Sequence, residues 1–261
     1  ITAIVNGEIY NQLELRAELE QRGHTFATHS DSEVVVHGYE EHGPDFVRRM
    51  NGIFAFVLYD QRRDRLVAVR DQFGVKPLYW HRRGERTAMA SEVGALIAAG
   101  LVTPELDRVA LDHYLACRFV PAPRTLFAGV NKLPAASMLV VEQSGEPKVS
   151  SYREAPGATL SGLSGADLEG ELAERFTDAV ERQMMSDVPY GAFLSGGVDS
   201  AAIVSAMARR RKTPPTTFTI GFPGHGDVLD ERRYAAETAA ALGTDHHETA
   251  MAEGDFLGEL Q

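Results

Sequence analysis

Ser195-Gly196-Gly197-Val198-Asp199-Ser200 is the stretch whose residue types and spacing could do chemistry. Two adjacent glycines let a backbone turn closely and accept positive φ, and two serines add hydroxyl donors. Such a turn aims free N–H groups at an anion. Asp199 would repel a bare phosphate, but it belongs there if Mg²⁺ sits between carboxylate and phosphate. The plain alternative is an ordinary strand-to-helix connection turned by a Gly pair. Serines, aspartate and flanking elements together favour the anion site. The spacing is neither a Walker A loop, which needs Gly-Lys-Ser/Thr, nor a dinucleotide G-x-G-x-x-G fingerprint.

The elements that must hold this loop are legible on both sides. Tyr190 to Leu194 is a short buried-strand pattern, and Ala201 to Arg211 carries Ile203, Val204 and Met207 at helical spacing. Leu168, Leu172, Phe176, Val180 and Met184 predict an amphipathic helix opened by Ser164 and Asp167. Thr216–Phe222 reads as a strand, Asp230–Leu242 as a helix ended by Gly243, and His246-His247-Glu248 as the start of a third strand. That βαβαβ order predicts a parallel, Rossmann-like sheet. Adjacent strand residues face opposite ways, so His246 and His247 read as structural rather than as a metal pair. The run Arg209-Arg210-Arg211-Lys212 reads as cations complementing a helix C-terminus.

Earlier in the chain the pattern changes. Thr2–Val5 is a strand, and Asn6-Gly7 by itself reads as a type I′ hairpin turn. A helix follows with Leu15 and Leu19 on its face and Gly23 as its stop. Ser30 and Glu33 fit a capping box, with Asp31 at the first helical position. Ile53–Tyr59, Leu66–Arg70, Leu78–Trp80 and Thr87–Ala90 predict a meander, followed by helices over Glu92–Ala99 and Val109–Cys117. A last hairpin joins Met138–Val141 to Lys148–Tyr152, and Ser151–Ser164 reads as a linker. Cys117 reads as buried helix filler.

Bulk properties narrow the classes. The 261 residues are 44% hydrophobic and 24% charged, which suits a soluble globular chain of one or two domains. No apolar run approaches a membrane span, and the single Cys117 fits a reducing cytoplasm. Residues 1–150 hold 17 Lys+Arg against 19 Asp+Glu, whereas residues 151–261 hold 9 against 18. Nucleic-acid binding needs the opposite sign. An acidic half that holds a triphosphate must rely on backbone donors and a divalent cation. Ile1 already lies in a strand pattern and apolar spacing continues to Leu260, so the expectation is a piece of a longer enzyme.

The loop resembles the pyrophosphate-binding loop of the ATP pyrophosphatases, which cleave ATP between its α and β phosphates. The longer string Met185-Ser186-Asp187-Val188-Pro189-Tyr190-Gly191-Ala192-Phe193-Leu194 running into it is similar to glutamine-hydrolysing asparagine synthetases. Asp230-Glu231, Thr244 to Glu248 and the string from Arg70 to Tyr79 also resemble that family. The resemblance implies two domains. Residues 1–152 would be a class II glutamine amidotransferase domain with the N-terminal-nucleophile αββα sandwich, and residues 164–261 a Rossmann-like ATP pyrophosphatase domain.

It also implies residue roles. Asn6 and Gly7 would form an oxyanion hole; with Glu8 and Asp31 they would bind glutamine, Asp31 taking its α-amino group. Leu194 and Ile220 would hold adenine or ribose, Ser195, Gly196, Gly197, Asp199 and Ser200 the pyrophosphate, and Asp199 the Mg²⁺. The family's nucleophile is an N-terminal Cys, whereas position 1 is Ile, so this stretch by itself is expected not to hydrolyse glutamine. The implied reaction is ATP- and glutamine-dependent conversion of aspartate to asparagine through β-aspartyl-AMP. Alternatives are a relative acting on another carboxylate and a non-catalytic relative lacking the nucleophile. A homo-oligomer stays open.

Overall fold

The computed structural model describes residues 1–143, 145–153, 164–210, 213–223 and 230–251. The expected linker and the apolar stretch near Leu260 fall largely outside them. The chain divides into two compact units, Ile1–Ala158 and Thr159–Gln261.

The first unit runs β1 (Thr2–Ile9), α1 (Gln12–Gln21), α2 (Glu33–His42), a short 3-10 helix (Gly43–Arg49), β2 (Gly52–Asp60), β3 (Arg65–Arg70), β4 (Tyr79–Arg83), β5 (Arg86–Ala90), α3 (Val93–Ala98), α4 (Arg108–Cys117), β6 (Val130–Lys132), β7 (Ser137–Glu142) and β8 (Lys148–Ser151). Two antiparallel sheets result, in the orders β1-β2-β3-β7-β8 and β5-β4-β6. Side chains alternate across the larger sheet with the two-residue period of a strand. Phe54, Phe56, Leu58, Val67, Val69 and Met138 join Leu15, Leu19, Val34 and Tyr39 of the helices. Ala55, Ala68, Leu139 and Val141 face the other way, onto Leu78, Trp80 and Met89 of the smaller sheet's side. Behind the smaller sheet, Tyr79, Ala88 and Ala90 pack on Val93, Leu96 and Ile97 of α3. Helix, sheet, sheet, helix is the expected αββα sandwich. Each fully buried Leu, Val or Phe in these layers contributes on the order of 1.5–3 kcal/mol.

Four local expectations are corrected. Asn6-Gly7 is no hairpin turn, because β1 runs straight through it and pairs Asn6 with Ala55 and Gly7 with Phe54. The meander is split between two sheets by the segment after Arg70. There Asp71, fully buried, accepts the N–H groups of Phe73, Val75 and Lys76 at 2.9–3.0 Å. Arg70 meanwhile donates to the carbonyls of Gly74, Lys76 and Leu133. The capping box does not form, since α2 begins at Glu33 and Glu33 turns back to the loop before it. Cys117 is exposed, because α4, capped by Asp107, buries only Ala110 and lies on the surface.

The second unit contains α5 (Gly165–Gln183), β9 (Gly191–Phe193), α6 (Val198–Arg210), β10 (Thr216–Gly221), α7 (Arg232–Leu242) and β11 (Asp245–Ala250). Its three strands are parallel in the order β11-β10-β9, as the βαβαβ pattern predicts. Ser164 caps α5 by accepting the Asp167 N–H, also as predicted. Leu194, Val204, Ala235 and Ala239 form the core under α6 and α7. His246 turns inward to Thr217 at 2.9 Å while His247 stacks on Phe218 outside, which fits their structural reading. Among the described residues, no helix is long and apolar enough to cross a membrane.

Candidate functional site

Among the described residues β1 is the edge of its sheet, so one row of its backbone groups has no partner strand there. Gly7 is required there by shape. Its φ is 145°, and an added Cβ would lie 2.0 Å from the Ile53 carbonyl oxygen and 2.6 Å from Phe54 Cα. Successive N–H groups along a strand point to opposite edges. Ile9 N–H points away from β2, to Asp31 Oδ2 at 2.8 Å, so Gly7 N–H shares that open direction. Asn6 and Glu8 stand on the opposite sheet face from Ile9, beside Ile4. Asn6 donates through Nδ2 to Ser91 Oγ at 3.3 Å. Ile4 and Asn6 line a cavity of about 290 Å³ with Ala55, Leu78, Met89 and Ser91. Asn6, Gly7, Glu8 and Asp31 are thus gathered along one strand edge: an amide donor, an open backbone N–H and two carboxylates.

Asp31 reaches this edge because the loop before α2 is fastened. Glu33 accepts from Ala27 N, Thr28 N and Thr28 Oγ1 at 2.5–2.8 Å. Arg16 donates to the carbonyls of Thr28 and Ser30. Neither Arg16 nor Ser91 carries a signal in sequence that marks it as a support. The Thr28 hydroxyl, with the backbone N–H groups, lowers the Glu33 pKa from 4.5 to about 2. A depressed folded pKa gives stabilisation that is fully present above 4.5 and lost as pH falls toward about 2. Amide exchange of Ala27 and Thr28 is therefore expected to accelerate across that window. Glu33→Gln should remove this pH dependence; a flat profile in the native chain would contradict the assignment.

In the second unit, the loop from Ser195 follows β9, and Ile220 lies near the end of β10. Both are therefore at the carboxyl ends of parallel strands, where open α/β sheets place ligands. Leu194 is 2% exposed, with its N–H on the Phe218 carbonyl and its own carbonyl accepting Thr219 Oγ1. That carbonyl keeps a second lone pair. Inside the loop Ser195 N–H donates to Ser200 Oγ and Gly197 N–H to Ser195 Oγ, each at 3.2 Å. Gly196 N–H donates to Glu231 Oε2 at 3.2 Å, so a carboxylate already occupies an anion's place. The family-like string Asp230-Glu231 carried no role from sequence; this contact supplies one. First-turn N–H groups of α6 have no intrahelical acceptor. Asp199 is exposed and has no hydrogen bond or ion pair among the described residues. Gly196 also backs onto α7, 3.0 Å from Tyr234 Cβ if it carried a Cβ, beside a groove of about 620 Å³ between α6 and α7. A hard, exposed oxygen donor beside backbone donors fits a divalent cation bearing phosphate oxygens.

Comparison with known proteins adds to this geometry. Residues 1–153 match the glutamine amidotransferase domain family, and residues 171–261 match asparagine synthase. Asparagine synthetase [glutamine-hydrolyzing] 1 of Bacillus subtilis is 37% identical over 257 residues, covering 98% of this chain and 40% of that protein. Asparagine synthetase [glutamine-hydrolyzing] 3 of the same organism is 33% identical, over 100% of this chain and 44% of its own length. Asparagine synthetase B [glutamine-hydrolyzing] of Escherichia coli is 36% identical, over 94% and 40%. The chain thus spans under half the length of these relatives.

Proposed function

Given that this chain belongs to the glutamine amidotransferase domain family through residues 1–153, we propose that it serves a ligase that makes asparagine from aspartate, glutamine and ATP. The match of residues 171–261 to asparagine synthase and the names of the relatives support this reading. At the edge of β1, the Asn6 amide and Gly7 N–H stabilise the negative charge that develops on the glutamine side-chain amide oxygen as its carbon is attacked. Asp31 accepts the glutamine α-amino group through lone pairs left free by Ile9 and Ser32, and Glu8 borders the same edge.

In the second unit, the aspartate β-carboxylate attacks the α-phosphorus of ATP. Pyrophosphate leaves and β-aspartyl-AMP forms; ammonia then displaces AMP. Ser195, Gly196, Gly197 and Ser200 bind the departing pyrophosphate, while Leu194 and Ile220 border the nucleoside. Asp199 would hold Mg²⁺, which when bound offsets negative charge on the phosphates. Glu231 yields Gly196 N–H to the phosphate. The single observation that carries the reading is Asp199, exposed and without a partner among the described residues, beside this loop at the carboxyl ends of β9 and β10.

The test is product stoichiometry in the full-length protein with aspartate, glutamine and ATP. Asparagine, AMP and pyrophosphate are expected in equal amounts. Formation of ADP and phosphate instead would overturn the reaction. A panel of carboxylates run beside aspartate identifies the acceptor, and an inert aspartate with another acid turned over would overturn the substrate.

A further inference from the structure

A second cluster of coordinating side chains lies on the helical layer, outside the residues given roles above. His24 follows α1, whereas His37 and Glu40 stand three residues apart on α2. His24 Nδ1 is 3.3 Å from His37 Nδ1, and Glu40 Oε2 is 3.3 Å from His37 Nδ1 and 3.8 Å from His24 Nδ1. Each ring turns its other nitrogen to a different carboxylate. His24 Nε2 is 3.2 Å from Glu41 Oε2, and His37 Nε2 is 3.4 Å from Glu33 Oε1.

Ionised carboxylates only accept hydrogen bonds, so both Nε2 atoms carry protons. Glu41 also accepts from Arg22 Nη1 at 2.9 Å, and Glu33 accepts from Ala27 N, Thr28 N and Thr28 Oγ1, so both carboxylates act as acceptors. A neutral imidazole protonated at Nε2 has its lone pair on Nδ1. With both rings in that form, two such lone pairs and the Glu40 oxygen converge on one point, three acceptors facing one another. That arrangement calls for a cation at its centre.

We propose that His24, His37 and Glu40 form a binding site for a zinc-class divalent metal, with water as fourth ligand. Donors held about 2.0–2.2 Å from a tetrahedral zinc lie about 3.3–3.6 Å from one another. Two of the three separations already fit, and a small rotation of the exposed Glu40 side chain closes the third. Glu41 and Glu33 take the part of the carboxylates that orient metal-bound histidines. Phe26 fixes the His37 ring edge-on, 4.4 Å between centroids. The metal would clip the segment after α1 to α2 and so close the loop that carries Asp31.

The experiment uses the full chain carrying Cys117→Ser, so that the exposed thiol cannot bind metal. After dialysis against a chelator, Zn²⁺ is titrated by calorimetry and Co²⁺ by visible absorption. One equivalent is expected, with the intense bands of tetrahedral Co²⁺. A Tm rise of about 5 °C is expected with Zn²⁺ near a hundredfold over its Kd. Glu41→Gln should weaken binding about 10–100-fold, while Glu40→Gln, His24→Ala and His37→Ala should abolish it. His29→Ala, at an exposed histidine outside the cluster, should bind as the parent does. Glu40 is exposed, so Glu40→Gln keeps the test valid should a histidine variant misfold. Zn²⁺ binding that survives Glu40→Gln, or no binding at all, would overturn the site. So would a metal-free chain stabilised only by acid, which would place a proton where the metal is proposed.

Discussion

Gly7→Ala is expected to eliminate glutamine-dependent amide formation in the full-length protein while sparing the ammonia-dependent reaction. The new methyl would sit 2.0 Å from the Ile53 carbonyl oxygen, at a φ of 145° that side chains rarely adopt. Backbone on both sides must move, since neither atom belongs to a flexible side chain. Strain of this kind costs on the order of 1–3 kcal/mol, and a forced separation of packed elements a similar amount. Relief can come only by pushing β1 off β2. That shift moves the Gly7 N–H, and losing one oxyanion donor costs about 10²–10³ in turnover. The readouts are asparagine formed from glutamine against asparagine formed from ammonium, alongside denaturant unfolding. Equal loss of both activities in a folded variant would show that β1 does not serve the glutamine reaction.

Asp199→Ala is expected to do the reverse. ATP–pyrophosphate exchange in the full-length protein should fall by about 10²–10³, because on the role proposed for Asp199 the phosphates lose the carboxylate that holds their counter-ion. Glutaminase activity should persist. Stability should change by no more than about 0.5 kcal/mol, since the side chain is exposed and unpaired among the described residues. Asp199→Glu lengthens the same donor and should recover part of the exchange, whereas Asp199→Asn should not. Exchange near the parent rate in Asp199→Ala would remove this residue from the mechanism.

Elements with a strong period were legible in sequence. Leu15 and Leu19, the Ser164 cap and the parallel order of the last three strands all follow from local spacing and turn chemistry. What sequence could not show depends on long-range partners. Asn-Gly is a turn signal only while nothing flanks it; pairing along β2 keeps it extended. Glu33 is placed correctly for a capping box, but Ala27 and Thr28 offer it two N–H groups and a hydroxyl instead. Cys117 obeys the average burial of its type only where a helix is covered on that face, and α4 is not. The residues proposed for the site come from resemblance, while the partners that position them carry no signal in sequence. Ser91 lies 85 residues from Asn6, and Glu231 lies 35 from Gly196, distances no local pattern spans.

The two faces of the central strands differ in bulk as well as direction. Phe54, Phe56 and Leu58 alternate with Ala55 and Val57 along β2, and Val67 and Val69 flank Ala68 on β3. Both faces are oily, so polarity cannot tell the chain which is which; girth can. Sliding β2 by a single position would drive benzyl rings between the sheets and leave the smaller Ala55 and Val57 under the helices, and sliding β3 would exchange its valines for Ala68 in the same way. The same frame shift would carry Asn6's neighbours out of line, so the coarse-and-fine grain of these strands is also what keeps the edge proposed for glutamine in alignment.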